Sequence, residues 1–353
     1  MKFQEETNDA VSLLQQLIAI PSLSKDEKAA ADFLEQYIEE KGYVASRKDN
    51  NIWLMNPGFD STRPTVLLNS HIDTVKPVSA WIRDPFSPTI ENGKLFGLGS
   101  NDAGASVVCL LHAFFQLTKS RQTYNLIFAA TAEEEISGKN GLESLLQELP
   151  KIDFAIVGEP TKMNMAVAEK GLMVLDCTVR GVAGHAARDE GDNAIYKAML
   201  AIEWFHTYNF SKKSDLLGAV KLSVTQINAG TQHNVVPDTC TFVVDVRSNE
   251  MYSNEEILAE ICQNVSCEVH ARSTRLSSTA TPLNHPVVIR GKELSRTIFG
   301  SPTLSDQSLM PFASVKMGPG DSARSHTADE YIILEEMGEA IEIYIDLLDG
   351  LKL

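Results

Sequence analysis

Apolar positions along this chain change period several times. In residues 7–20, TNDAVSLLQQLIAI, they recur at the spacing of one helix face, and Pro21 ends the run. Residues 24–42, SKDEKAAADFLEQYIEEKG, repeat the pattern: Ser24 is placed as an N-cap, Ala30, Phe33, Leu34 and Ile38 form the stripe, and Gly42 stops it. Short apolar runs at 52–55 and 65–69 read as strands. NDAGASVVCLLHAFFQL reads as a helix with small residues at its start, and YNLIFAAT and DFAIVG as further strands. Strand alternating with helix predicts a largely parallel sheet covered by helices.

The texture changes near Gly171. LMVLDCTVRG alternates, as an antiparallel strand with one solvated face does. A helix at about 192–208, strands near 219–227 and 239–247 and a helix at about 253–264 complete a small α+β unit. From about Pro282 helix and strand segments resume. The expected fold class is therefore α/β: a discontinuous domain of residues 1–171 and 281–353 with a mixed, mostly parallel sheet, and an inserted α+β domain of residues 172–280 with an antiparallel sheet.

The 353 residues are 43% hydrophobic, enough for real cores, and the balance of 31 basic against 47 acidic residues is a charge of −16. A nucleic-acid partner is not expected, because a phosphate backbone needs a basic footprint. The five cysteines are odd in number and lack Cys-x-x-Cys spacing, so they read as reduced thiols of a cytoplasmic protein. The start, MKFQEETNDA, is polar and does not read as a signal peptide, and no apolar stretch approaches the ~18 residues of a membrane span, so no membrane partner is expected.

Chemistry enters where strands end. In LLNSHIDTVKP, His71 and Asp73 are two apart on an extended segment and so emerge on one side. Such strand ends are where ligand sites form in open α/β sheets. Alone, His-x-Asp is more often a structural pair. Asp102 in GLGSNDAGAS alone would be a helix N-cap. The glutamates of FAATAEEEISG alone would be a solvated turn, except that an apolar strand runs directly into them. Glu159 in AIVGEPT and His326 in GPGDSARSHTADEY are each unremarkable singly. Together, two imidazoles and several carboxylates form a mixed nitrogen and oxygen donor set suited to zinc, and also to cobalt or manganese. A carboxylate shared by two ions about 3.5 Å apart is the arrangement of dinuclear hydrolases.

The ordered motifs SHIDTV, GLGSNDA, TAEEE, VGEPT, GVAGHA, NVVPD followed by DVR, and the GPG…H..DEY segment run through nearly the whole chain. In this order they resemble the di-zinc metallopeptidase family of acetylornithine deacetylase, succinyl-diaminopimelate desuccinylase and glutamate carboxypeptidase. The resemblance implies His71, Asp102 and Glu159 around one zinc ion and Glu135 and His326 at a second, with Asp102 bridging. It makes Glu134 the general base and Asp73 the carboxylate that orients His71. The family usually carries Thr-Ala-Asp-Glu-Glu at the glutamate triplet, so a one-residue slip among Glu133, Glu134 and Glu135 stays open. Relatives also carry a lysine and a glycine after the bridging aspartate, where this chain has DAGA at 102–105. The inserted domain would be a lid that also dimerises. His185 resembles the histidine that reaches a neighbouring active site in dimeric relatives, and Asn234 a residue near the substrate.

The chain is most similar to the acetylornithine deacetylase branch. That implies hydrolysis of the Nα-acyl group, acetyl or succinyl, of N-acyl-L-ornithine in arginine biosynthesis. Arg188, Arg247 and Arg324, with Lys170 nearby, are candidate cations for the substrate; one must serve the α-carboxylate, and the excess leans towards a dicarboxylic acyl group. The alternatives are succinyl-diaminopimelate desuccinylase or dipeptidase activity on the same site, and, in another class, a non-catalytic binding relative.

Overall fold

The computed structural model describes residues 3–353. Two compact units divide the chain. One holds the chain up to Val167, Thr281–Phe299 and Ser305–Leu353; the other holds Ala168–Ala280 and Gly300–Leu304. The segment Gly300–Leu304, which the sequence boundaries leave in the first domain, sits with the second unit. There the Lys170 N–H donates to the Ser301 carbonyl at 3.1 Å.

The first unit is mixed α/β. Its central strands Asn125–Thr131, Thr65–His71, Phe154–Val157 and Ala313–Lys316 lie side by side and parallel in that order. Antiparallel strands flank them: Asn51–Met55 beside Asn125–Thr131, and Met165–Glu169 beside Ala313–Lys316. Every residue of Thr65–His71, Asn125–Thr131 and Phe154–Val157 is buried, as continuous apolar runs in a sheet covered on both faces must be. Leu67, Ile127, Ala129, Ala155 and Val157 pack on Leu142, Leu145 and Met310. Helices Gln4–Ile18, Ala105–Leu117 and Leu334–Leu348 form the other layer, and the apolar Ala105–Leu117 is its buried middle. Because the four central strands are parallel, their C-terminal ends open on one edge.

The expected N-cap at Ser24 is not formed. The helix begins at Lys28, and the Ser24 hydroxyl instead donates to Asp73 Oδ2 at 2.7 Å. A cap-forming residue is equally a good local donor, and a buried carboxylate competes successfully for it.

In the second unit the strands Lys221–Ala229, Thr239–Ser248, Gly171–Arg180 and Glu268–Ala271 form an antiparallel sheet in that order. The strand Gly171–Arg180 alternates buried and less buried positions, as its pattern requires. Met173, Leu175, Cys177 and Val179 line its inner face with Phe242 and Val244, under the helices Ala194–Thr207 and Asn254–Asn264. The latter helix carries a complete capping box from Ser253 and Glu256. Cys109, Cys177 and Cys240 are buried, Cys267 is half-buried and Cys262 exposed, and all are free thiols. No helix among the described residues is long and apolar enough to cross a membrane.

Candidate metal centre

The open edge of the parallel strands gathers the chemistry. His71 is the last residue of its strand and 2% exposed. Glu134 and Glu135 begin the turn after Asn125–Thr131, Glu159 follows Phe154–Val157, and His326 lies in the loop after Ala313–Lys316. Asp102 stands in the irregular turn before the helix Ala105–Leu117, and its bond to Ala103 is cis.

Asp102 faces both histidines. Its Oδ1 lies 3.4 Å from His71 Nε2 and its Oδ2 lies 3.7 Å from His326 Nε2. Glu159 Oε1 is 3.7 Å and Glu134 Oε2 3.8 Å from His71 Nε2. The two oxygens of Glu135 lie 3.1 and 3.0 Å from His326 Nε2. Two triads keep their donor atoms within 4.8 Å of one another, His71 with Glu134 and Glu159, and His71 with Asp102 and Glu135, while His326 stands beside Glu135 and Asp102. A tetrahedral ion with ligand bonds of about 2.0–2.2 Å sets its donor atoms roughly 3.3–3.6 Å apart, close to the 3.4–3.8 Å spacings around His71 Nε2, so this cluster suits a divalent cation. Glu134 is also within ligand reach of His71.

The charges show the same fit. Burial pushes Glu134 well above the usual carboxylate range; His71 pulls it down, and Glu159, Asp306 and Glu135 push it further up. Burial, then the Asp102 charge, raises Glu159 to about 8 against His71 and Lys316. At Asp102 burial opposes ionisation, but hydrogen bonding and attraction to His71 hold it below the ordinary value. At His71 burial disfavours the cation, yet Glu134, Asp102 and Asp73 raise it well above an ordinary imidazole. His326 rises to about 9, first through its hydrogen bond with Glu135. Burial and mutual repulsion thus raise Glu134 and Glu159, a crowding of negative charge that a bound dication relieves.

Asp73, 1% exposed, organises this edge. Its carboxylate is 3.4 Å from His71 Nδ1, while its own backbone carbonyl is nearer, at 2.9 Å. A carbonyl can only accept, so Nδ1 carries a proton, and it is Nε2 that offers a lone pair to the site when the ring is neutral. Asp73 Oδ1 also accepts from the Glu134 N–H at 3.0 Å, and Oδ2 from the Glu135 N–H at 3.2 Å.

The glutamate triplet divides cleanly. Glu133 has φ +57° and turns away from the histidines; its Oε1 accepts from Asn140 Nδ2 at 2.9 Å and its Oε2 from the Asn140 N–H at 3.3 Å. A Cβ at Gly138 would strike the Glu133 side chain, so the loop returns through a glycine. Glu134 and Glu135 are the two that face the imidazoles.

Three groups escaped the sequence. Buried Glu330 accepts from the N–H groups of Gly99, Asn101 and Asp102. Burial first, then the Asp102 charge, raises it to about 8. Buried Asp306 takes Asn69 Nδ2 at 2.9 Å and the Thr131 hydroxyl at 2.8 Å, tying together the ends of two ligand-bearing strands. Asn101 joins the Asp102 turn to Asp321 and Ser325. For Glu330 the available signal was an acidic residue four positions after His326.

The remaining candidates lie elsewhere. Arg324 Nη1 and Nη2 bind Glu336 at 2.7 and 2.9 Å, and its guanidinium stands 4.8 Å from the centre of the Tyr331 ring. That pairing engages the Arg324 guanidinium. In the second unit Arg247 binds Asp245 through Nε and Nη2 at 2.9 and 3.1 Å. Lys170 Nζ donates to the Ala219 carbonyl at 2.8 Å; burial, then the charges of Lys221 and Arg247, lower its pKa. Arg188 is exposed. His185 and Asn234 meet on a small ribbon, where Gly184–His185 pairs with Val235–Val236 and the Ala186 N–H donates to the Asn234 carbonyl at 3.0 Å.

A sequence model described as peptidase family M20/M25/M40 matches residues 67–350. Among solved structures, aminopeptidase PepT from Bacillus cereus superposes with a TM-score of 0.79 at 18% identity, over 98% of each chain. The M20 family metallo-carboxypeptidase Sso-CP2 from Sulfolobus solfataricus gives 0.74 at 18% identity, over 97% of this chain and 98% of that one. The YXEP protein of Bacillus subtilis, described as a dinuclear metal-binding peptidase, gives 0.74 at 15% identity, over 98% and 99%.

Proposed function

The chain belongs to peptidase family M20/M25/M40 and is a metal-dependent hydrolase of amide bonds; on that premise we propose that it removes the Nα-acyl group, acetyl or succinyl, from N-acyl-L-ornithine to release L-ornithine. One observation carries the hydrolytic centre: the two oxygens of Asp102 address two separate imidazoles while Glu134 stands beside one of them. The ornithine substrate rests on the order and wording of the motifs VGEPT and GPGDSARSHTADEY.

His71, Asp102 and Glu159 would hold one ion and His326, Glu135 and Asp102 a second. Zinc is the proposed metal, with cobalt or manganese as substitutes. Two bound ions would polarise the amide carbonyl and acidify the attacking water. Glu134 would take the proton of that water and return it to the departing amine, a role suited to a carboxylate that burial raises above its ordinary range. Asp73 keeps Glu134 aimed by holding its backbone N–H. In the second unit, His185 Nδ1 accepts from the Ala187 N–H at 3.1 Å, so the neutral ring bears its proton on Nε2, a donor suited to a carbonyl oxygen. Lys170 and Arg247, with Lys221, concentrate positive charge that suits the substrate's carboxylates. Arg188 and Asn234 are assigned to the substrate by motif alone.

The second unit is also proposed to dimerise, and the protein to work in the cytoplasm. Lys221–Ala229 is an edge strand of its sheet, and Tyr196, Met199 and Leu200 on the adjacent helix are 60–70% exposed. A second reading, a peptidase acting on dipeptides or other short peptides, is favoured by the names of the structural neighbours.

The test presents enzyme loaded with zinc or cobalt with Nα-acetyl-ornithine, Nα-succinyl-ornithine and a dipeptide panel, and follows the free amine. Preference for either acyl-ornithine supports the proposal, and preference for dipeptides moves the chain to the second reading. Hydrolysis of none of them would refute both readings. Glu134→Ala is expected to lose about 10²–10⁴ in turnover while keeping its metal.

A further inference from the structure

The turn that carries Asp102 is held from two directions by one segment, residues 321–330. From one side, Asn101 Oδ1 accepts from the Asp321 N–H at 3.0 Å, and Asn101 Nδ2 donates to the Asp321 carbonyl at 3.1 Å and to Ser325 Oγ at 3.2 Å. From the other side, Glu330 reaches back. Its Oε1 accepts from the N–H groups of both Asn101 and Asp102, at 2.8 and 2.9 Å, and its Oε2 from the Gly99 N–H at 3.2 Å. Glu330 is 2% exposed. Its backbone carbonyl also accepts from Gly97 at 3.0 Å, and the strand after it pairs Tyr331 with Phe96. The carboxylate therefore stands on a registered support.

A buried carboxylate is costly unless its oxygens are satisfied. Here they are spent on three consecutive-region backbone donors of a turn with irregular φ/ψ, a conformation that no helix or sheet ladder maintains. His326 lies four residues before Glu330 on the same segment. One side chain thus couples the turn bearing Asp102 to the loop bearing His326.

We infer that Glu330 is a positioning residue for the dinuclear centre: by fixing the backbone of residues 99–102 it holds Asp102 where one carboxylate can serve two ions. This rests on the metal reading proposed above. Its action goes through Asp102; Glu330 itself touches neither substrate nor ion. Because Oε1 takes two of the three N–H groups, a glutamine at this position can keep two bonds and lose only the third.

The test uses the full chain stripped of metal and titrated with cobalt(II) chloride, followed by calorimetry and by the visible absorption of the bound ion, with thermal unfolding as a folding control. Wild type is expected to take up two ions. Glu330→Ala is expected to bind cobalt about 10–100-fold more weakly, with an altered visible spectrum. Glu330→Gln should recover part of that loss, and kcat should fall in both variants with KM little changed. A folded Glu330→Ala with wild-type affinity and spectrum overturns the inference, as does a glutamine variant weaker than the alanine one. Should Glu330→Ala not fold, Glu330→Gln decides: weakened binding supports the inference, and wild-type affinity overturns it. If wild type binds no cobalt, the metal reading itself falls, an outcome distinct from wild-type behaviour in the variants.

Discussion

Asp73→Asn changes a few atoms at the point where the centre is most tightly organised. Asp73 Oδ1 holds the Glu134 N–H, and Oδ2 holds the Glu135 N–H and the Ser24 hydroxyl. An amide keeps one acceptor oxygen. If that oxygen stays with Ser24 and Glu135, the new NH₂ faces the Glu134 N–H, and one buried donor loses its partner. That costs about 1–3 kcal/mol, against a total stability of roughly 5–15 kcal/mol, so the variant still folds. The centre suffers more than the fold. Loss of a charge that orients ligands lowers metal affinity by about 10–100-fold. Displacing a base by ~1 Å costs about 10²-fold in turnover, so with metal saturating kcat should drop on that scale while KM stays close to wild type. Thermal unfolding, cobalt titration and steady-state hydrolysis of the preferred acyl-amino acid measure the three effects separately. Ser24→Ala is the control: it leaves both backbone bonds in place, costs about 1 kcal/mol, and should disturb metal binding far less. Wild-type metal affinity and kcat in Asp73→Asn would refute the view that this carboxylate aims the base.

Two further outcomes follow from the pairs around His326 and Arg324. In the metal-free protein His326 is raised from 6.5 to about 9, so its pairing with Glu135 stabilises the fold fully below about pH 6.5 and ceases to do so as pH rises through 9. A metal must displace that proton, so cobalt affinity should climb as pH rises towards about 9 and then flatten; a pH-independent affinity below 9 would contradict the pairing. Arg324→Ala removes a charge-assisted pair with Glu336 whose partners are 16% and 24% exposed, and should lose about 1–3 kcal/mol in chemical denaturation with KM unchanged. A tenfold rise in KM with unaltered stability would assign Arg324 to the substrate.

The sequence was most legible where one physical rule dominates. Continuous apolar runs marked the strands ending at His71, Thr131 and Val157, and alternation marked Gly171–Arg180, because full or half burial dictates those patterns. The strand ends that lead to His71, Glu134 and Glu159 followed from the same runs. Less legible were features that depend on partners distant in sequence. Nothing local distinguishes Ser24 as a cap from Ser24 as a donor to Asp73, 49 residues on. Glu330 and Asp306 looked like ordinary acidic residues, since burial of a carboxylate shows only once its donors are in place. The triplet's register was left open by three identical side chains, and it is a left-handed turn at Glu133 that separates them. Arg324 was read as a candidate substrate cation, and its pairing with Glu336 shows only once the chain is folded.

The order of the central strands bears on how the chain is made. Ala313–Lys316 lies between Phe154–Val157 and Met165–Glu169, two strands that are near neighbours in sequence. During synthesis those two emerge long before the strand that separates them. At about 5–20 residues per second, the wait is roughly 7–30 s. Through that interval the growing chain carries a slot with unpaired backbone groups on both walls, open to any extended segment that can add a strand. The same late stretch delivers His326 and Glu330, so a chain stalled or cleaved before residue 313 is at once adhesive and unable to complete its centre.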